Sequence, residues 1–175
     1  MWAYDDLAGF GVHAGENEIR LEHYEKGFEL AKKAGIVDWI ALIGGHLAGM
    51  YVGMGNMNKA ILLAEESVAL DKKAGNINHL SMSLSALGLV YQILGEWDKS
   101  EQYFREALSN SQRLNDFQSI ASSYGWLAWF HFDKGEFAKA RELWERSQET
   151  CEKAGAKRSQ MWISQWTIWA CIELG

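Results

Sequence analysis

Apolar and polar positions along this chain follow the three- and four-residue spacing of amphipathic helices. Glycine or asparagine separates the helical stretches at regular intervals, and both residues close helices because they tolerate positive φ. Proline, which would break the helices, is absent from the 175 residues. The pattern predicts nine helices, at residues 1–14, 16–34, 36–54, 56–74, 76–94, 96–114, 116–134, 136–154 and 156–174.

The predicted helices form pairs that repeat every 40 residues. Fixed positions for small and large side chains recur in each unit, and this arrangement lets paired helices pack closely. The pattern predicts a single repeat domain over 1–175, with units at about 1–35, 36–75, 76–115 and 116–155 and a half unit at 156–175. The helix-closing columns are Gly15, Gly55, Gly95, Gly135 and Gly175, and Gly35, Gly75, Asn115 and Gly155.

These columns resemble the tetratricopeptide repeat (TPR). The closest match reads Leu84-x-x-Leu87-Gly88-x-x-Tyr91-x-x-x-Gly95-Glu96-Trp97-x-x-Ser100-x-x-x-Phe104-x-x-Ala107. The period is 40 residues, against about 34 in typical members, and no proline follows the second helix, so the chain resembles a longer variant. The resemblance implies an all-α fold, a right-handed superhelical solenoid of antiparallel helix pairs with about four and a half repeats and nine helices.

The resemblance also implies a concave groove, lined by the first helix of each pair. This groove is predicted to be mainly apolar and to become aromatic toward the C-terminus, and exposed aromatic rings in grooves are typical anchors for a partner chain. The alternative interpretation is that these side chains pack between helices, because apolar helical stripes usually form core. The candidate partner-binding residues are Leu89, Gln92, Trp129, Phe132, Asp133, Trp162, Gln165 and Trp169.

Charge and composition narrow the class of partner and the setting. The net charge is −6 and the basic residues are scattered, so nucleic acid is not an expected partner. The two cysteines form no framework and no signal peptide begins the chain, which favours a reducing cytoplasm. Residues 36–57 are largely apolar, but Asp38 and His46 lie among them, so we expect no membrane span there.

No pattern for catalysis, metal binding or cofactor binding appears in the sequence. The five histidines show no paired-ligand spacing, and there is no nucleophile motif or phosphate loop. His131 takes the position that tyrosine holds in two other units, which predicts a packing role. We therefore expect a non-enzymatic protein without metal or cofactor.

Three functions are compatible with these observations. The first is a protein–protein interaction scaffold that binds a partner peptide or protein in the groove. The second is the ligand- or peptide-sensing arm of a larger signalling or transcription-regulatory protein, and the third is a self-assembly module. The helix 156–174 is very apolar and lacks a second helix, which predicts either a piece of a longer protein or a homodimer formed through this helix.

Overall fold

A computed structural model describes residues 14–75 and 77–155 of the chain, and seven α-helices make up most of them. No strand occurs in these two ranges. The predicted helices 1–14 and 156–174 fall outside them, except for Ala14, which begins α1. The other seven predicted helices are confirmed, with bounds that differ by no more than about two residues. The helices are α1 (Ala14–Ala34), α2 (Val37–Gly53), α3 (Met57–Ala74), α4 (Ile77–Ile93), α5 (Trp97–Leu114), α6 (Phe117–Asp133) and α7 (Phe137–Lys153).

The turns between helices use the left-handed backbone that the glycine columns predict. Asn115, which replaces glycine in its column, has a φ of 52° and is the one non-glycine residue with positive φ in the described ranges. Its backbone N–H donates to carbonyl oxygens at the end of α5 and so closes that helix. The glycines with positive φ are Gly35, Gly55, Gly75, Gly95, Gly135 and Gly155.

The core lies between the two helices of each pair and between consecutive pairs. Leucines that recur with the 40-residue period, Leu47, Leu87 and Leu127, are buried, and so are Phe104 and Trp144. Gly88 shows how closely paired helices approach, because a Cβ atom there would lie 2.8 Å from the ring of Phe104. The residues with the largest fully buried side chains are Phe104, Phe130, Leu47, Leu84, Leu87 and Leu127.

The two layers of the solenoid differ in how closely neighbouring units approach. The first helices α2, α4 and α6 contact one another in order, whereas the backbones of the second helices α1, α3, α5 and α7 lie farther apart. The closely spaced layer lies on the inside of the curve, so the first helices form the inner face. Two ion pairs bridge the outer layer, Lys32–Glu66 between α1 and α3 and Lys72–Glu106 between α3 and α5.

None of the described helices combines the length and the apolar character that crossing a membrane requires. The apolar helix α2 instead packs against α1, α3 and α4, and eight of its 17 residues are buried.

Candidate functional site

The inner face of the solenoid carries a polar contact between two first helices. The side-chain amide of Gln92, near the end of α4, donates a 2.6 Å hydrogen bond to Oδ2 of Asp133 at the end of α6. The two residues lie 41 positions apart, so the bond links equivalent ends of consecutive repeats. It places an amide and a carboxylate together on the face where the sequence predicts a groove.

The structure separates the candidate groove residues by burial. Leu89, Gln92 and Trp129 are 7%, 3% and 6% exposed. Phe132 is partly buried and Asp133 is exposed. The surface that these five residues offer a partner therefore consists mainly of Phe132 and Asp133, and Leu89 and Trp129 support it from below.

The ring of Phe132 belongs to an aromatic group that holds it in place. It stacks on Trp129 with centroids 5.9 Å apart. It also meets Phe137 at 5.3 Å and Trp144 at 5.7 Å, both on α7. A ring held on three sides costs little conformational entropy on binding, which makes it a suitable anchor.

The Asp133 carboxylate is turned inward toward Gln92, and this shifts its proton affinity. Desolvation raises the pKa of Asp133, while hydrogen bonding to Gln92 and to Trp129 acts in the opposite direction. The oxygen Oε1 of Gln92 is buried and has no hydrogen-bond partner among the described residues. The inner face therefore covers one polar atom whose hydrogen-bonding capacity is unused among the described residues.

Three of the candidate residues, Trp162, Gln165 and Trp169, lie outside the described residues. Their place in the groove stays a prediction, as does the predicted dimer through 156–174.

The outer face carries a polar arrangement that the sequence analysis missed. The hydroxyl of Tyr51 donates a hydrogen bond to Glu25, and the ammonium of Lys59 lies 4.7 Å from the Tyr51 ring centroid. One repeat later, Tyr91 bonds Glu65 at 3.2 Å and Lys99 lies 4.9 Å from its ring. The signal was available, because glutamate 26 residues before each tyrosine and lysine 8 residues after it repeat with the 40-residue period.

A cleft of about 450 Å³ opens beside Tyr51 between the second helices α1 and α3. The first helix α2 forms its floor. Glu25, Glu29 and Lys59 stand at the mouth and are exposed. The cleft is lined by Glu25, Phe28, Glu29, Leu47, Tyr51, Lys59, Leu62 and Leu63.

The fourth unit departs from this arrangement at His131. This residue is 1% exposed, which confirms the predicted packing role. Its Nδ1 lies 2.8 Å from Oε2 of Glu136. Desolvation lowers the pKa of His131, and so does the nearby charge of Lys139, while Glu136 raises it.

No group of His, Cys, Asp and Glu side chains suited to a metal ion occurs in the part of the chain that the structure describes. The inner face combines one amide, one carboxylate and an aromatic edge.

The model of the tetratricopeptide repeat family matches residues 39–113. Among solved structures, the chain is similar to aspartyl phosphate phosphatase F from Bacillus subtilis, with a TM-score of 0.71 and 14% identity over 92% of this chain and 42% of that one. It is also similar to BtubC (BKLC) from P. vanneervenii, with a TM-score of 0.61 and 18% identity over 90% of this chain and 78% of that one.

A third similar structure consists of nearly identical TPR-like repeats related to a kinesin light chain from Podosopora anserina. Its TM-score is 0.63 and its identity 19%, over 96% of this chain and 83% of that one. At these identities the likeness is one of fold. No curated protein matches the sequence.

Proposed function

Residues 39–113 of this chain match the tetratricopeptide repeat family, and from that premise we propose a non-catalytic scaffold that binds a partner peptide or protein on its inner face. Proteins of this family generally act as protein–protein interaction scaffolds. The proposed surface consists of Phe132 and Asp133, supported by Leu89, Gln92 and Trp129, and continues to Trp162, Gln165 and Trp169.

The observation that supports this proposal is the hydrogen bond between Gln92 and Asp133 beside the ring of Phe132. It combines a fixed aromatic anchor with a fixed polar group on the surface that faces the inside of the curve. Interfaces obtain much of their affinity from a few such anchors, with polar groups that fix the orientation of the partner.

The test is a pair of charge reversals. Asp133→Lys changes the proposed surface, while Glu149→Lys makes the same change on the exposed side of α7, a second helix on the outer layer. Both variants should be shown to remain helical by circular dichroism. The parent chain and the two variants are then used separately to capture proteins from a lysate of the source cells.

A protein retained by the parent and by Glu149→Lys, but lost from Asp133→Lys, supports the proposal and identifies the partner. Equal retention on all three chains contradicts binding at the inner face. Photo-crosslinking from position 132 then shows whether the captured protein contacts Phe132 directly.

The sensing arm is the second candidate, and one feature favours it. Oε1 of Gln92 is buried and lacks a donor among the described residues, and a small ligand or peptide N–H is a donor that would satisfy it. A ligand that binds Gln92 directly would lose affinity with Gln92→Leu and retain it with Glu149→Lys.

A further inference from the structure

We propose that the cleft between α1 and α3 is a second docking site, and that its occupant is the aromatic side chain of a partner segment that also carries basic residues. This site lies on the outer face, opposite the proposed groove. The repeat itself supplies the argument, because the next unit contains the same surroundings with an aromatic ring in place.

The two units share the polar frame of the cleft. Tyr51 corresponds to Tyr91 one period later. Each hydroxyl donates a hydrogen bond to a glutamate, and the ammonium of a lysine lies over each ring. Leu47 corresponds to Leu87, and both are buried. The polar frame around the tyrosine is therefore equivalent in the two units, although the lining residue Phe28 corresponds to the smaller Val68.

The units differ in what lies against the tyrosine. In the later unit the ring of Tyr103 stacks on Tyr91, with centroids 5.5 Å apart and planes 11° apart. The residue that corresponds to Tyr103 in the earlier unit is Leu63, which lines the cleft. The volume that one unit fills with its own phenol ring is therefore left open in the other.

Two more differences at the same place make the cleft accessible and selective. Leu62 replaces Gln102 and is 67% exposed, so it extends the apolar wall to the surface. Glu29 replaces Ala69 and is exposed at the mouth beside Glu25. With Lys59 as the single cation among the eight lining residues, the mouth has a net negative charge and favours a cationic neighbour of the incoming ring.

The size of the cleft and the chemistry of its lining agree with an aromatic occupant. Aromatic side chains provide a large apolar contact area at low entropic cost and are the common anchors of interface pockets. The stacked pair in the following repeat shows that this surface accepts a ring face to face. A single anchor of this kind binds weakly alone, with a dissociation constant on the order of 1 mM.

The experiment titrates the full chain with the peptide Ac-Lys-Tyr-Lys-NH2 and follows the methyl signals of Leu47 and Leu63 by NMR. Ac-Lys-Ala-Lys-NH2 and Ac-Glu-Tyr-Glu-NH2 are the matched probes without the ring and with reversed charge. We expect saturable shifts with the first peptide, and affinity at least about tenfold weaker for the other two.

Three variants tie the binding to this cleft. Leu63→Tyr copies Tyr103 and fills the cleft, so binding should fall by at least about tenfold. Leu62→Gln copies Gln102 at an exposed position that does not enter the core, and should weaken binding about two- to threefold. Tyr103→Leu should open a second equivalent site beside Tyr91, visible as new shifts at Leu87.

Absence of saturable binding in the parent overturns the proposal, and so does an affinity that is unchanged in both Leu63→Tyr and Leu62→Gln. Equal affinity for the alanine peptide would show that charge alone attracts the probe, which also rejects an aromatic occupant. Because Leu62 is exposed, its variant keeps the test decisive even if Leu63→Tyr fails to fold.

Discussion

His131 lies with its Nδ1 2.8 Å from the carboxylate of Glu136, in the turn that leads into α7. The tyrosines at the equivalent position in the two preceding repeats instead reach back to a glutamate on the previous second helix. The residue that corresponds to that glutamate for His131 is Arg105 on α5, which pairs with Glu101 at 2.6 Å. The histidine therefore has its carboxylate partner on the chain that follows it.

We expect this substitution to make stability depend on pH. Desolvation and the charge of Lys139 lower the pKa of His131 in the folded state, so the unfolded state binds the proton more readily. The contribution of neutral His131 to stability should be complete above the unfolded pKa of about 6.5. It should fall as the pH drops below that value toward the folded pKa. Thermal unfolding measured between about pH 7.5 and pH 5.5 tests this expectation.

The control is His131→Tyr, which restores the ring found in the other repeats and does not titrate in this range. Desolvation also lowers the pKa of His46, so a part of the dependence should remain in this variant. An unchanged pH dependence in His131→Tyr would contradict the assignment to His131.

Asp71 is a buried carboxylate that we expect to reduce stability at neutral pH. One of its oxygens accepts a 2.8 Å hydrogen bond from Ser83, and the other has no partner in the described ranges. Desolvation raises the pKa of Asp71 in the folded state. The contribution of its protonated carboxyl to folding stability is therefore present below the unfolded pKa and is lost as the pH rises through the folded pKa. Asp71→Asn should stabilise the chain at pH 7 by about 1 kcal/mol.

The measurement is a pair of urea titrations, at about pH 7 and about pH 4. The gain should shrink at the lower pH, because the raised pKa of Asp71 means that a larger share of the parent's carboxyl is neutral there. A variant that is less stable than the parent at both pH values would mean that the carboxylate is needed in its charged form.

The contact between Gly88 and Phe104 should tolerate no added methyl group. A Cβ atom at position 88 would meet two ring carbons at 2.8 Å. The ring cannot move away easily, because it stacks on Trp126 and meets Phe130 edge-on. Gly88→Ala should therefore destabilise the chain by about 1–3 kcal/mol.

Gly27→Ala is the matched control for this change. At position 27, within α1, a Cβ atom would meet Ile43 at an ordinary 3.5 Å, and the next two units carry Ser67 and Ala107 in the same column. This variant should stabilise the chain by about 0.5–1 kcal/mol. Equal effects of the two substitutions in chemical denaturation would reject the close approach at Gly88.

Asn115 offers a test of the turn chemistry. Its φ of 52° is the conformation that glycine adopts in the same column of the other units. Asn115→Gly should leave stability unchanged or raise it by a few tenths of a kcal/mol, while Asn115→Ala should lower it by about 1 kcal/mol. Thermal melting ranks the three chains, and an alanine variant as stable as the parent would contradict this account of the turn.

The sequence was sufficient to predict the helices and turns, because both depend on local chemistry. Glycine and Asn115 mark positions of positive φ, and the 40-residue period fixes how the helices pair. Burial on the inner face was harder to predict. Whether Gln92 and Trp129 point into a groove or into the core depends on the distance between consecutive first helices, which no single repeat specifies.

The outer cleft was missed for a related reason. Leu63 and Tyr103 are both ordinary residues for a helix that is partly buried, so neither is conspicuous alone. Their difference has meaning only in a comparison of the two units, in which the tyrosine, its glutamate and its lysine are shared.

The ladder of ion pairs along the outer layer has a mechanical consequence. Lys32–Glu66 and Lys72–Glu106 act as struts across two successive joints. At the third joint the corresponding positions hold Gln112 and Arg146, and Arg146 pairs within its own helix instead. We therefore expect the outer layer to resist separation of its helices slightly more at the first two joints than between α5 and α7.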